Sequence, residues 1–337
     1  MSTSTPLLLS GFADEAANDK TIDQQFSAFA ALGLKYFSIR FIDAGNGVKN
    51  VMQLNDAELE LVSAKMDEYG LCVSSLGSPL GKVKLLDVED GTSNSFHPFE
   101  EYLENDVRRA CDLANRLGTK LIRGFSFYHP RGQNAADHMG QTVERLGRIA
   151  EACDSAGLTY GLEVEANLVG QNGEILADIH RQVANDALVL IFDGGNLVTQ
   201  GFSPDEILNQ YKVMKPGLGW IHIKDFRNPA GVERTTHVDE EALKHFVPAE
   251  LGDSGHAAIL SDLAGFLPEL ESRMKKRGAD GVFADMEPHV KGGGQFGGFS
   301  GPDGFGVALR SFCGMCDQAG IAYRLRDFGD IQAARGF

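Results

Sequence analysis

The chain has 337 residues, of which 43% are hydrophobic and 23% are charged, and this composition excludes an intrinsically disordered protein. Asp and Glu number 47 against 31 Lys and Arg, which gives a formal net charge of −16. Because a nucleic acid or an anionic membrane requires a positively charged surface, the charge argues against both as partners.

Short apolar runs alternate with amphipathic stretches along the whole chain, and we interpret them as strands and helices. The predicted strands are 7–12, 36–42, 72–78, 120–127, 159–165, 187–193, 219–225 and 281–287. The predicted helices after them are 22–34, 55–71, 98–118, 135–158, 173–186, 203–214, 261–278 and 303–320. Eight such units with nearly continuous apolar strands predict an α/β fold, a single (β/α)₈ TIM barrel.

No linker or shift in composition divides the sequence, so we predict one domain over residues 1–337. Two connections are long: an insertion at 226–260 after strand seven and a glycine-rich loop at 290–305 after strand eight. A doubly wound sheet is the alternative, but the dinucleotide-binding fingerprint is absent after the first strand. Neither a signal peptide nor an apolar stretch of roughly 20 residues is present, so we expect a cytoplasmic protein.

Polar residues end four consecutive predicted strands, and in a barrel of this type the carboxyl ends of the strands carry the active site. The four residues are Glu163, Asp193, His222 and Glu287. Alone, Asp193 suits a helix N-cap and His222 suits a core histidine. Together, three carboxylates and an imidazole are costly to bury unless a cation neutralises them. The set suits Mn²⁺, Mg²⁺ or Co²⁺ better than a structural zinc ion.

Five short motifs lie at matching places: LEVE (162–165), DGGN (193–196), HIKD (222–225), GDSG (252–255) and MEPH (286–289). In order and register they resemble the xylose isomerase-like barrel superfamily, which includes the sugar phosphate isomerases and epimerases.

The resemblance implies that Glu163, Asp193, His222 and Glu287 bind one divalent ion, Mn²⁺ first, with Mg²⁺ and Co²⁺ as alternatives. It also implies that Glu163 and Glu287 are acid and base. Asn196 stands where the family has histidine, and we expect it to bind a sugar hydroxyl.

Four further residues are candidates for the site. His129 ends strand four and is predicted as an additional catalytic base. Glu165 lies on the same strand face as Glu163, so it is a substrate-binding residue or the metal ligand in place of Glu163. Arg227 is expected to hold a substrate oxygen, and His289 to bind substrate beside Glu287.

We therefore predict a metal-dependent sugar isomerase or epimerase that removes a proton next to a carbonyl and forms an enediolate stabilised by the ion. The alternative is a lyase of the same family, like the catalytic subunit of the C-glycoside deglycosidases, which cleaves 3-oxo-glycosides by enolisation and elimination. The substrate is then a sugar or a glycoside. We expect a homo-oligomer, or a complex with a small subunit in the deglycosidase case.

Two other classes fit less well. An endonuclease IV-type repair enzyme needs a basic surface and more histidines for several metal ions. A non-catalytic sugar-binding barrel would not need the complete set of four ligands.

Overall fold

The eight predicted strands form one parallel sheet in a computed structural model that describes residues 5–229, 233–235, 237–239, 243–292 and 298–335. They are β1 Leu8–Gly11, β2 Tyr36–Ile39, β3 Cys72–Leu76, β4 Leu121–Gly124, β5 Thr159–Glu163, β6 Leu188–Asp193, β7 Leu218–Ile223 and β8 Phe283–Met286. Neighbours follow the order β1-β8-β7-β6-β5-β4-β3-β2. A parallel bridge between Phe12 and Ser38 connects β1 with β2. The sheet is a nearly closed barrel, which confirms the predicted (β/α)₈ fold.

A helix follows each strand. The helices are α1 Ile22–Ala31, α2 Asp56–Tyr69, α3 Arg108–Arg116, α4 Met139–Ser155, α5 Gly173–Val183, α6 Pro204–Met214, α7 His256–Lys276 and α8 Gly301–Ala319. A turn of α-helix at Phe99–Tyr102 and a π-helical turn at Leu103–Val107 lead into α3, and a last helix spans Phe328–Arg335. Among the described residues, no helix has both the length and the apolar character that a membrane span requires.

The ends of α2 show how the sequence sets these boundaries. The Asn55 side chain accepts a hydrogen bond from the Glu58 amide, and the Glu58 carboxylate accepts one from the Asn55 amide. This reciprocal capping box starts the helix. Gly70 then adopts a φ of 63°, a left-handed conformation that ends it.

The barrel interior is filled by a large side chain opposite a glycine. Trp220 of β7 is fully buried, and it packs where the side chain of Gly161 on β5 would otherwise lie. A Cβ atom at Gly161 would approach the Trp220 ring to 2.0 Å. Since alternate residues of a strand share a face, Gly161 and Trp220 lie directly below Glu163 and His222.

Gly161→Ala is expected to destabilise the protein by roughly 3 kcal/mol, because the new methyl group must displace the buried indole. Gly147→Ala is a matched control, since Gly147 lies within α4 and a Cβ there would meet nothing within 4 Å. The control should gain up to about 1 kcal/mol from helix propensity. Urea unfolding curves measure both changes, and equal stabilities of the two variants would contradict the interior packing.

The structure corrects two predicted boundaries. The insertion predicted at 226–260 ends earlier, because Gly255 takes a left-handed φ of 71° and α7 starts at His256. The loop predicted at 290–305 ends before Gly301, because Pro302 suits the first turn of α8. Residues 230–232, 236, 240–242 and 293–297 of these connections lie outside the described residues.

Two antiparallel hairpins were not predicted. One pairs Phe41–Asp43 with Val48–Asn50 after β2, and the other pairs Asp225–Phe226 with Phe246–Val247 after β7. Their strands have two or three residues, too short for an alternating hydrophobic pattern to be visible in the sequence.

Candidate metal centre

Four polar side chains meet at the carboxyl end of the barrel. Glu163 and Asp193 are the last residues of β5 and β6, and Glu287 directly follows β8. His222 lies near the end of β7 and is paired in register with Asp193. All four are buried, so the predicted quartet is brought together at one place.

The ligand atoms of the quartet converge on one point. His222 Nδ1 lies 3.2 Å from Glu163 Oε1, 3.6 Å from Glu287 Oε2 and 3.9 Å from Asp193 Oδ2. The four ligand atoms all lie within 4.8 Å of one another. Since ligand bonds to one ion measure about 2.0–2.2 Å, atoms around an ion are separated by up to about 4.4 Å, and the quartet is close to this spacing.

One of these atoms lacks a hydrogen bond. Asp193 Oδ1 accepts from the Asn196 amide at 3.0 Å and so caps the short helix Gly194–Val198. Asp193 Oδ2 is buried and accepts no hydrogen bond from the described residues, and its charge is balanced by the Lys224 ammonium at 3.1 Å. A buried carboxylate oxygen that is paired with an ammonium and lies among other ligand atoms is a place where a metal ion could also be bound. Asp193 is therefore both the N-cap and a candidate ligand.

The charges around the quartet also fit a cation. Five buried carboxylates are joined by ion pairs and short contacts to three buried cations: Asp14, Glu15, Glu163, Asp193 and Glu287 with Arg40, Arg123 and Lys224. Asp14 is also paired with Lys20 at 3.0 Å, so with neutral histidines this group has an excess of one negative charge, which favours a bound cation. The residues present therefore fit a divalent metal ion.

In the metal-free quartet, the electrostatics raise the pKa values of His222 and Asp193 and lower those of Glu163 and Glu287. Burial opposes a charged imidazole, but Glu163 and Glu287 outweigh it and raise the pKa of His222 to about 10. Burial raises the pKa of Asp193 to about 6, against the nearby Lys224 ammonium. Burial is outweighed at Glu163 by His222 and Arg123, which lower the pKa of its carboxyl to about 2. The same competition, with Lys224 as the main cation, holds the pKa of Glu287 well below its usual range.

Metal binding is therefore expected to release about one proton per chain at pH 7 and about two near pH 5. A ligating His222 must be neutral, and its pKa of about 10 keeps it protonated in the metal-free protein. The affinity should consequently rise with pH between 7 and 10. Calorimetric titration with Mg²⁺ in two buffers of different ionisation enthalpy counts the protons. A heat of binding that does not depend on the buffer would contradict the protonated quartet.

Asn196 and Glu165 lie beside the quartet. Asn196 Nδ2 donates to Glu163 Oε1 at 3.3 Å and to the Val164 carbonyl at 3.0 Å, so the amide orients Glu163. Glu165 pairs with Lys82 at 2.8 Å and does not belong to the group of converging ligand atoms.

His289 is held by a buried carboxylate. Its Nδ1 lies 2.7 Å from Glu15 Oε1, and its amide donates to Glu15 Oε2 at 2.8 Å. The Arg40 guanidinium joins this pair to the quartet, because it lies 3.4 Å from Glu15 Oε1 and 2.6 Å from Glu287 Oε1. The imidazole is thereby fixed beside the quartet.

Described residues at this end of the barrel line an inner and an outer cavity. The inner cavity, of about 30 Å³, is lined by two residues that contact the quartet, Asn196 and Lys224, and by Glu165, Ala166, Thr199, Val238, Leu243, Phe246 and His289. The outer cavity, of about 550 Å³, is lined by residues 90–94, Tyr128, His129, 131–133, Asn167 and 237–239. Val238 lines both cavities, so they adjoin at this residue.

The remaining two candidates lie apart from the quartet. His129 lines the outer cavity and stacks on His138, with ring centroids 6.2 Å apart. The Arg227 guanidinium donates to the Leu251 carbonyl, and it lines neither cavity.

Sequence reasoning missed the cations of the centre. Lys224 Nζ lies 3.1 Å from Asp193 Oδ2 and 3.0 Å from Glu287 Oε2. It follows His222 by two residues in the HIKD motif, so strand alternation placed it on the same face. Arg123 near the end of β4 contacts Glu163 at 3.3 Å. Its position at a strand end was the available signal.

Comparison with known proteins gives a family and a fold. A model of the family described as xylose isomerase-like TIM barrel matches residues 26–297. No curated protein matches the sequence.

Many solved structures resemble the chain over nearly its whole length, and three of them serve as examples. A xylose isomerase-like TIM barrel protein from Mycobacterium smegmatis, in complex with magnesium, is 17% identical with a TM-score of 0.60, and the match covers 98% of each chain. D-allulose 3-epimerase from Methylomonas sp. is 14% identical with a TM-score of 0.60, covering 94% of this chain and 100% of the epimerase. D-psicose 3-epimerase from Clostridium cellulolyticum H10 is 12% identical with a TM-score of 0.56, and the match covers 98% of this chain and 96% of the epimerase. At these identities the likeness establishes the fold.

Proposed function

The chain belongs to the xylose isomerase-like TIM barrel family, and on that premise we propose that it is a divalent-metal-dependent sugar isomerase or epimerase. The observation that supports this most strongly is the convergence of Glu163, Asp193, His222 and Glu287 within 4.8 Å at the carboxyl end of the barrel. Binding alone would not require two carboxylates placed to exchange protons beside a metal ion.

A divalent ion held by these four residues would polarise a sugar carbonyl and lower the cost of the enediolate. The chain's own residues would move the proton. Among the described residues, only Arg123 donates to Glu163 Oε2, at 3.3 Å, so we assign to this oxygen the removal of the carbon-bound proton. Glu287 Oε1 is bound more tightly, by Arg40 at 2.6 Å, and we assign to Glu287 the return of the proton.

Lys224 completes the proposed mechanism. Burial opposes its charge, but Asp193 and Glu287 outweigh burial and raise the pKa of the ammonium well above its usual value. It therefore remains charged, and it lines the inner cavity. A fixed ammonium at this place would stabilise the negative oxygen that forms when the proton leaves.

A lyase of the same family is the second candidate. Its first step is the same, and a leaving group on the next carbon would then be expelled. The outer cavity of about 550 Å³ favours this reading, because it offers room for a group attached to the sugar. A small partner subunit belongs to this candidate, whereas a homo-oligomer belongs to the isomerase; a cytoplasmic location is proposed for both.

A screen of ketoses and 3-oxo-glycosides in D₂O tests the proposal. The protein and each sugar are incubated together with Mg²⁺, Mn²⁺ or Co²⁺. A chelator then stops the reaction by removing the ion, and NMR measures how much carbon-bound hydrogen of the sugar has been replaced by deuterium. Exchange without release of an aglycone supports the isomerase or epimerase, and release supports the lyase. Binding of the same sugars without exchange would instead support a non-catalytic sugar-binding barrel.

A further inference from the structure

The outer cavity has the size of a ligand site, and no residue of the quartet lines it. Its volume of about 550 Å³ lies within the usual range for small-molecule pockets. The inner cavity of about 30 Å³ holds little more than a water molecule in this structure. Of these two cavities, which described residues line, the outer one alone has the volume that a sugar ring needs.

The two cavities are adjacent along one stretch of chain. Glu165 and Ala166 line the inner cavity, and the next residue, Asn167, lines the outer one. The Asn167 side chain accepts from the Val238 amide and donates to the Val238 carbonyl, both at 2.9 Å. The outer cavity thus adjoins the inner one at Val238, and the inner cavity is lined by Asn196 and Lys224, which contact the quartet.

His129 lines this cavity and has one ring nitrogen without a hydrogen-bond partner among the described residues. Its Nδ1 is engaged with the Pro130 carbonyl at 3.1 Å, whereas its Nε2 is buried without a hydrogen-bond partner among the described residues. The ring is held in place by stacking on His138, with an angle of 13° between the planes. A buried imidazole nitrogen without a partner is rare, and a small rotation of the ring would bring Nε2 within reach of a ligand hydroxyl in the cavity.

The lining indicates an uncharged, hydroxyl-rich ligand. The lining contains the carboxylates of Asp90 and Asp239 and the guanidinium of Arg131. Asp90 is also paired with Lys84 at 2.9 Å, and the lining therefore lacks the positive excess that a phosphate requires. Five other lining residues have hydroxyl or amide side chains: Thr92, Ser93, Asn94, Gln133 and Asn167. Because a sugar hydroxyl both donates and accepts, this mixture of donors and acceptors suits a sugar ring better than an apolar group.

We propose that the outer cavity is a subsite for a second, uncharged sugar ring joined to the sugar that reacts at the metal centre. This inference rests on the proposed function, and it narrows the substrate class from a free monosaccharide to a glycosylated sugar. His129 acts in it as a binding residue for that second ring.

Binding of mono- and disaccharides tests the subsite. The full chain with Mg²⁺ is titrated with fructose and with turanose, maltulose and isomaltulose, which differ in the fructose oxygen that carries the glucose. Saturation-transfer NMR gives each dissociation constant without requiring turnover. At least one disaccharide should bind about tenfold more tightly than fructose, as expected for one or two additional hydrogen bonds.

A cavity-filling variant and a matched control complete the test. Ser93 is exposed and lines the outer cavity, so Ser93→Trp should remove the preference for the disaccharide. Ser155, exposed at the end of α4, is the control, and Ser155→Trp should keep the preference. Arg131→Trp repeats the block from another exposed position, in case Ser93→Trp does not fold.

The outcomes separate the subsite from the proposed function. If fructose exchanges its carbon-bound proton but no disaccharide binds more tightly, the subsite is wrong and the function stands. If a disaccharide binds in a manner sensitive to Ser93→Trp and no sugar exchanges, the subsite stands and the proposed function is wrong. A preference that survives both cavity-filling variants also overturns the subsite.

Discussion

Glu287→Gln is expected to lower the rate of carbon-bound proton exchange by at least about a thousandfold, while the barrel remains folded. The amide keeps the shape of the side chain but removes the negative charge that faces Arg40 and Lys224. It also replaces a charged ligand of the proposed metal site and removes the residue assigned to return the proton. Exchange in D₂O measured by NMR gives the rate.

Glu269→Gln is the matched control, because Glu269 is exposed on α7. The control should retain the exchange rate of the unchanged protein. Full exchange by Glu287→Gln would show that the site has been assigned to the wrong residues. Retained sugar binding with lost exchange would distinguish an enzyme from a sugar-binding barrel.

Lys224→Met is expected to bind a divalent ion at least about tenfold more tightly than the unchanged protein and to turn over at least about a hundredfold more slowly. The ammonium lies within about 3 Å of carboxylate oxygens of Asp193 and Glu287, where it repels a metal ion bound to the same atoms. Removing it strengthens metal binding. It also removes the fixed charge that would stabilise the reacting oxygen.

The metal-free form of this variant should be destabilised by about 3 kcal/mol, because the buried Asp193 carboxylate loses its ammonium partner, whereas Glu287 keeps Arg40. Addition of Mg²⁺ should therefore raise its melting temperature more than that of the unchanged protein. Lys212→Met on the exposed face of α6 is the control. Weaker metal binding by Lys224→Met would show instead that the lysine holds the ligands in position.

The fold could be predicted from the sequence because the barrel repeats one pattern of strand and helix eight times. Each apolar run is followed by an amphipathic helix, and helix ends such as Gly70 carry their own signals. The short hairpin strands Phe41–Asp43 and Asp225–Phe226 were missed, since two or three residues cannot show a period. The start of α7 was also missed, because it depends on the left-handed conformation of Gly255.

The quartet could be predicted from the sequence for a related reason. Strand ends meet at one rim of a parallel barrel, so polar residues at those ends are brought together whatever their separation in sequence. The neutralising cations were harder to assign. Arg123 and Lys224 lie near strand ends as well, but only the structure shows that they face the carboxylates rather than solvent.

The partners of His289 and Arg227 depend on loops. His289 has a left-handed φ of 51°, and Glu15, distant in sequence, binds both its amide and its ring. The Arg227 side chain donates to the Leu251 carbonyl across the turn before α7. Neither contact follows from a periodic pattern, because both arise where irregular segments from different parts of the chain meet.

Titration with Mn²⁺, followed by electron paramagnetic resonance of the free ion, tests the proposed metal centre most directly. The unchanged protein should bind one Mn²⁺ per chain, with an affinity that rises with pH, and His222→Ala should lose this binding while its circular dichroism spectrum is unchanged. Equal binding of Mn²⁺ by the unchanged protein and by folded His222→Ala would contradict the assignment of the quartet as the metal centre.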